Sequence, residues 1–224
     1  MPNMQNEKTP MPLQEGLVRI TNFEEVALGY TEEQMINEAD RCLHCVNHPC
    51  TAGCPVSVMI PDFIKALKQG RIDEAYGIIT KTNSFPTICG RVCPQENQCE
   101  KNCVRAIRGE AVAIGRLERY VADHHTPVLQ EKPQPNGVKV AVVGSGPAGL
   151  ACAADLAKEG FAVTIYEALH EAGGVLRYGI PEFRLPKSVV ANEVKHLEAL
   201  GVTIQTDTVV GRTITVDELF EEGF

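Results

Sequence analysis

The sequence predicts two regions of different fold class. An α-helical domain spans residues 1–125, and a partial α/β Rossmann-like domain spans 138–224, with a linker at 126–137 between them. Three observations predict this. Before residue 125 the apolar residues recur at helical spacing, and no stretch alternates as a strand does. TPVLQEKPQPNG at 126–137 holds three prolines and a glycine, a composition that favours irregular backbone. After it the pattern becomes strand, glycine loop, helix, strand.

Residues 1–30 read as an extended strap that ends in the apolar patch Val26-Ala27-Leu28. Thr31 with Gln34 three residues on predicts a capping box for a helix through Met35, Ile36 and Ala39. Pro61 suits a first helical turn, and Phe63, Ile64 and Leu67 form a stripe that stops at Gly70. A short helix covers Asp73 to about Thr80, with Ala75, Ile78 and Ile79 inward. A longer one runs from about Ala111 to Asp123. Beyond the linker, Val138–Val143 is a β-branched run, Pro147–Glu159 a helix and Phe161–Tyr166 a second strand. Helix 187–200 presents Val190, Val194, Leu197 and Leu200, and Val202–Gln205 is a further strand. Cys152, inside the first α/β helix, reads as a small apolar residue on its packing face.

The net charge of −8 argues against nucleic acid or an anionic membrane as the main partner. No apolar run approaches the roughly 18–20 residues of a transmembrane helix. The polar, proline-containing N-terminus has no apolar core of a secretory signal, so a cytoplasmic location is expected.

Eight of the nine cysteines fall between positions 42 and 103. In a reducing compartment such a cluster favours metal over disulfides. The spacing is Cys42-x2-Cys45-x4-Cys50-x3-Cys54-Pro55, then Cys89-x3-Cys93-Pro94-x5-Cys99-x3-Cys103. A [4Fe–4S] cube needs four corner ligands, usually thiolates, and in two-cluster ferredoxins the cysteine before proline serves the other cluster. Cys54-Pro55 and Cys93-Pro94 repeat that local pattern, and two iron–sulfur clusters are the expectation. Structural zinc is the rival, since His44 and His48 could join a Cys-x2-Cys pair in a tetrahedral set. Cys99 and Cys103, four apart, would face the same way on one helical turn.

On the predicted helix 111–123, Glu118 shares a face with Ile114, Leu117 and Val121. A carboxylate on a buried face must be paired or coordinated. A salt bridge to Arg105, Arg108 or Arg116 is one outcome, and ligation of a cluster is the other.

Gly144-Ser145-Gly146-Pro147-Ala148-Gly149 lies between a predicted strand and a predicted helix, where a phosphate-binding loop belongs. The first glycine allows the tight turn, the second lets a pyrophosphate approach, and the third lets helix and strand pack closely. Glu167 ends the second strand, where an acid binds ribose hydroxyls. The glycine pair Gly173-Gly174 soon after it is the pattern of flavoproteins that bind FAD on two dinucleotide folds.

With cysteine cluster, linker and glycine loop in this order, the chain resembles the small (β) subunit family of NADPH-dependent glutamate synthase. The wider family includes the N-terminal part of dihydropyrimidine dehydrogenase. It also includes the large subunit of electron-bifurcating NADH-dependent ferredoxin:NADP oxidoreductase. The motifs that carry the resemblance are DRCLHC, CPV, ICGRVCPQENQCEKNC, IGRLERYVAD, VVGSGPAGL and GGVLRYGIPEFRLPK. The resemblance implies one [4Fe–4S] cluster on Cys42, Cys45, Cys50 and Cys103, and a second on Cys54, Cys93 and Cys99. Dihydropyrimidine dehydrogenase completes its second set with a glutamine; the matching residue here is Glu118, with Cys89 as the substitute. For FAD it implies Ser145 to Gly149, Glu167, Gly174, Val175 and Arg184. Family members are about twice this long, so an N-terminal fragment is expected, with NAD(P)H bound only in the full-length protein. The resemblance implies an oxidoreductase without a catalytic acid, base or nucleophile here. Its partner would be the glutamate synthase large subunit or, alternatively, a ferredoxin-linked subunit. A non-catalytic zinc-stabilised interaction module is the reading of another class.

Overall fold

In the computed structural model, which describes residues 3–126 and 132–224, the chain divides into two units, 1–127 and 128–224. Residues 127–131 of the predicted linker lie outside the described residues. The first unit is helical in the order α1 (Gly16–Arg19), α2 (Glu32–Ala39), α3 (Pro49–Ala52), α4 (Ile60–Lys68), α5 (Ile72–Thr80), α6 (Pro86–Val92) and α7 (Ile114–His124). Thr31 and Gln34 form the reciprocal capping box of α2, each side chain accepting the other's backbone N–H. Phe63, Ile64 and Leu67 of α4 are buried, as are Ala75 and Ile79 of α5, while Ile78 is half-buried. With Met35, Ala39, Leu117 and Val121 they form one hydrophobic core.

α7 begins three residues later than the sequence predicts, and a buried ion pair explains the delay. Arg41 and Glu38 lie 2.7 Å apart with both side chains fully buried. Arg41 donates to the carbonyls of Glu110 and Ala111, and Glu38 accepts the N–H of Ala113 at 2.8 Å. The backbone of 110–113 is thereby committed before the helix starts. The same pair reaches the N-terminal strap: Arg41 donates to Gln5 and Asn6 carbonyls, and Glu38 accepts from Thr9 N–H. Every hydrogen-bonding atom of a charged pair in this setting needs a partner, because an unmatched buried charge is costly.

The strap is not simply extended. It folds on itself through an antiparallel bridge between Leu13 and Ala27, with α1 at the bend. α6, which the sequence reading does not anticipate, packs on α7. Gly90 makes this possible, since a Cβ there would lie 2.7 Å from the Arg119 backbone.

The second unit is β1 (Lys139–Val143), α8 (Pro147–Lys158), β2 (Ala162–Tyr166), α9 (Val175–Tyr178), α10 (Lys187–Leu200), β3 (Thr203–Gln205) and α11 (Val216–Glu221). The three strands form a parallel sheet in the order β1–β2–β3, with Val140 opposite Val163 and Ile165 opposite Ile204. Leu150, Ala153, Ala154 and Ala157 make the buried stripe of α8 at i, i+3, i+4, i+7 spacing. Cys152 lies off that stripe and is exposed, which corrects the expectation that it packs inward. Among the described residues no helix is long and apolar enough to cross a membrane.

Candidate metal centre and nucleotide loop

The cysteines of the first unit separate into two neighbourhoods. Cys42 and Cys45 follow α2, Cys50 sits in α3, and Cys103 opens the 3-10 turn Val104–Ile107. These four cysteines line one partly open cavity whose other walls include Ile60, Ile64, Val112, Ile114 and Arg105. The loop between them bends through His44 and His48 at φ +48° and +40°, a left-handed conformation uncommon for side-chain-bearing residues. Constrained backbone of this kind concentrates at functional sites. Burial pushes the Cys42 thiol up to about 11, against a stabilising N–H from His44, and the nearness of Cys50, Cys103 and Cys45 adds to the rise. Cys50 is raised likewise, by burial first and then by Cys103 and Cys45.

His44 and His48 are not among the residues that line this cavity. Among the described residues, no three His, Cys, Asp or Glu side chains converge as ligands of a single metal ion. All nine cysteines are free thiols.

The second neighbourhood holds Cys54 just beyond α3, Cys89 within α6, Cys93 at the end of α6, Cys99 and Glu118 of α7. Burial pushes Cys93 up to about 11, helped by Glu118 and Cys54. It pushes Cys89 up to about 12, with Glu118 and Cys93 next in effect. Cys99 rises through burial, Glu100, Glu118, Cys54 and Cys93. Burial pushes the Glu118 carboxyl up to about 7, although Nδ2 of Asn83 donates to its Oε1 at 2.7 Å. Buried thiols and a buried carboxyl that resist ionisation are groups whose charged forms need a cation nearby.

Two expectations are corrected here. Glu118 forms no salt bridge with Arg105, Arg108 or Arg116 among the described residues. Arg105 donates to the Gln5 carbonyl, and Arg116 to the Thr9 carbonyl and Tyr30 Oη. Cys99 and Cys103 do not share a helical turn: their segment is a series of turns, and each thiol belongs to a different neighbourhood. Asn83 was not anticipated. Its Oδ1 accepts the Phe85 N–H at 3.1 Å and the Cys89 thiol at 3.4 Å, so one amide bridges Cys89 and Glu118. A lone Asn before a proline-containing segment carries no sequence signal for this role.

In the second unit, Gly144 to Gly149 turns from β1 into α8, with Gly144 at φ +90°. A Cβ on Gly149 would lie 2.0 Å from the Gly144 carbonyl oxygen, so only glycine permits this approach of helix to loop. A Cβ on Gly146 would meet nothing within 4 Å, and Pro147 and Ala148 beside it are exposed. Open space above the loop at the N-terminus of a twelve-residue helix is a cradle for a phosphate. Gly174, at φ +50°, opens α9, and a Cβ there would lie 2.8 Å from Gly146 Cα, so the second glycine pair packs on the first loop. Val175 follows it and is exposed.

Glu167, directly after β2, turns inward. Its Oε2 accepts the Ser145 N–H at 2.8 Å and the Ser145 hydroxyl, and its Oε1 accepts the Leu169 N–H at 2.8 Å. Burial opposes ionisation, but these bonds outweigh it and hold the carboxyl below the usual range. Ser145 Oγ in turn accepts the Gly173 N–H at 3.0 Å. Arg184 is exposed, and among the described residues its side chain makes no hydrogen bond or ion pair with the loop.

Residues 19–128 match the family described as dihydropyrimidine dehydrogenase domain II, 4Fe-4S cluster, and residues 142–189 match the NAD(P)-binding Rossmann-like domain. The glutamate synthase [NADPH] small chain of Azospirillum brasilense is 42% identical over 207 residues, covering 90% of this chain and 43% of that protein. The NAD-dependent dihydropyrimidine dehydrogenase subunit PreT of Escherichia coli K12 is 39% identical over 204 residues, covering 90% of this chain and 50% of that protein. Histamine dehydrogenase from Rhizobium sp. 4-9 is similar at 20% identity over 70% of this chain and 22% of that one, with a TM-score of 0.34, too low to bear on the fold. The class is therefore a chain with a 4Fe–4S domain ahead of a Rossmann-like nucleotide domain. The chain is similar to glutamate synthase small chains along most of its length, and it spans about half the length of these curated relatives.

Proposed function

We propose that the chain carries electrons between NAD(P)H, FAD and two [4Fe–4S] clusters as part of a glutamate synthase-type small subunit. The observation that carries this reading is the division of the ligand-bearing side chains. Cys42, Cys45, Cys50 and Cys103 line one cavity, while Cys54 and Glu118 lie near enough to Cys93 and Cys99 to raise both thiols. Four thiols around a cavity suit a cubane better than a single ion, and that favours iron–sulfur over zinc. When bound, the clusters carry single electrons and the flavin accepts a hydride; the residues here bind and orient them.

In the second group Glu118 takes the fourth position, and Cys89 stands aside with its thiol directed at Asn83. Gly144, Ser145, Gly146, Pro147, Ala148 and Gly149 would hold FAD, with Gly174 and Val175 from α9. Glu167 orders the loop through Ser145 and would exchange one of those bonds for a ribose hydroxyl. Arg184, exposed in this structure, would be a further contact to FAD. NAD(P)H would supply the hydride, and electrons would leave toward a large partner subunit of the glutamate synthase kind. Ferredoxin-linked bifurcation would use the same residues with a different partner.

Anaerobic reconstitution with iron and sulfide tests the reading. Two cubanes give about eight irons per chain and a brown chromophore. A colourless protein that binds zinc and neither iron nor sulfide would sink the proposal and favour a zinc-stabilised interaction module.

A further inference from the structure

Among the described residues, one buried side-chain nitrogen or oxygen lacks any hydrogen-bond partner: Nε of Arg105. Its position is informative. Arg105 lies in the wall of the cavity lined by Cys42, Cys45, Cys50 and Cys103. The far end of the guanidinium is already held, with Nη2 donating to the Gln5 carbonyl and Nη1 3.5 Å from Met4 Sδ. The planar fork is thus fixed by the N-terminal strap, and the one donor left over is on a residue that shares the cavity wall with the four cysteines.

A buried N–H without an acceptor is unfavourable, so the group that fills this cavity should supply one. Water is a poor candidate. It needs about two to four polar partners, whereas Ile60, Pro61, Ile64, Val112 and Ile114 make the remaining wall largely apolar. A thiolate or sulfide sulfur of a cluster is an anionic acceptor of the right kind, and hydrogen bonds to those sulfurs are one of the levers that set cluster potential.

We propose that Arg105 Nε donates a charge-assisted hydrogen bond to the cluster held by Cys42, Cys45, Cys50 and Cys103, and raises its reduction potential. This rests on the two-cluster reading above. The sign follows from charge: reduction adds one electron to an already anionic cluster, and a fixed cationic donor stabilises the more negative state more. No proton moves, because the guanidinium stays protonated in both states. Arg105 is a positioning and tuning residue and supplies no bond to iron.

The test uses the whole chain, reconstituted anaerobically, with reduction of each cluster followed by electron paramagnetic resonance. Cys103→Ser identifies which signal belongs to the first cluster. In Arg105→Gln both clusters are expected to assemble. The equilibrium constant for reducing the first should fall about tenfold, ~59 mV for one electron, with the second unmoved. Arg105→Lys, which keeps the charge without the fixed fork, should shift it less. Wild-type protein labelled with 15N-arginine should show a nitrogen coupling to the reduced first cluster that Arg105→Gln lacks. Unchanged potentials without that coupling would overturn the inference. So would loss of the cluster in Arg105→Gln with a wild-type potential in Arg105→Lys, which would leave only an anchoring role for the strap. A wild-type chain that takes up four irons or none refutes the two-cluster reading itself.

Discussion

Asn83 and Glu118 come from a loop and a helix 35 positions apart, and Nδ2 of the first donates to Oε1 of the second at 2.7 Å in the buried interior. The amide fixes the plane of a carboxyl that burial would otherwise leave protonated near neutral pH. Glu118→Ala should therefore lower iron from about eight to about four per chain, since a cubane needs four ligands. Asn83→Ala should leave the iron count intact at first and weaken retention about 10–100-fold, the usual effect of removing a residue that orients a ligand. Timed release to a chelator measures both. Full retention of both clusters in Glu118→Ala would show that the ligand is another group, with Cys89 the nearest thiol.

The fully buried Glu38–Arg41 pair makes a different prediction. Arg41→Ala leaves a carboxylate facing Thr9 and Ala113 amides without its counter-charge and should destabilise the first unit by about 3–5 kcal/mol. Replacing both partners by leucine should cost less than the single change, since no buried charge remains. Urea denaturation of the metal-free chain, followed by far-ultraviolet circular dichroism, compares the two.

Gly149→Ala tests the contact between α8 and the loop. The added methyl would meet the Gly144 carbonyl oxygen at 2.0 Å, and because that obstacle is backbone the helix must move. Overpacking of this kind costs about 1–3 kcal/mol. A lower Tm for the second unit and weaker FAD binding in a fluorescence titration are expected; an unchanged Tm would contradict the approach described.

Glu167 predicts a pH dependence. Its folded carboxyl ionises below the ordinary glutamate value of about 4.3, so its contribution is complete above that value. The contribution is lost as pH falls through the lower folded pKa, because the donors of Ser145, Leu169 and Ala168 favour the ionised form. The stability difference between wild type and Glu167→Gln should shrink as pH drops below about 4.3. A difference that stays constant or grows in acid would refute this.

Much of the architecture is legible in the sequence because local signals and tertiary packing agree. Thr31 and Gln34 cap α2, Phe63, Ile64 and Leu67 mark the inner face of α4, and the glycine loop sits between β1 and α8. Helices α3 and α6 were missed because four and seven residues are too few to display a period. α11 carries its own start signal, the capping box of Thr215 and Glu218. Cys152 misled because a small apolar side chain fits a helix flank as readily as its stripe. For the candidate site, residue chemistry points to the cysteines and to Glu118. Neighbours that depend on distant chain segments stay invisible: Asn83 beside Cys89 and Glu118, Arg105 turned to Gln5, and Ser145 beneath Glu167.

α3 is a single turn with Cys50 inside it and Cys54 just past its end, and these two thiols belong to different neighbourhoods. On the proposed assignment, one turn of backbone is the mechanical spacer between two redox centres. An added residue there would rotate the second thiol by about 100° relative to the first. The pentapeptide Cys-Thr-Ala-Gly-Cys would then fix a tunnelling distance as well as two ligands, and its length should tolerate change far less than its composition.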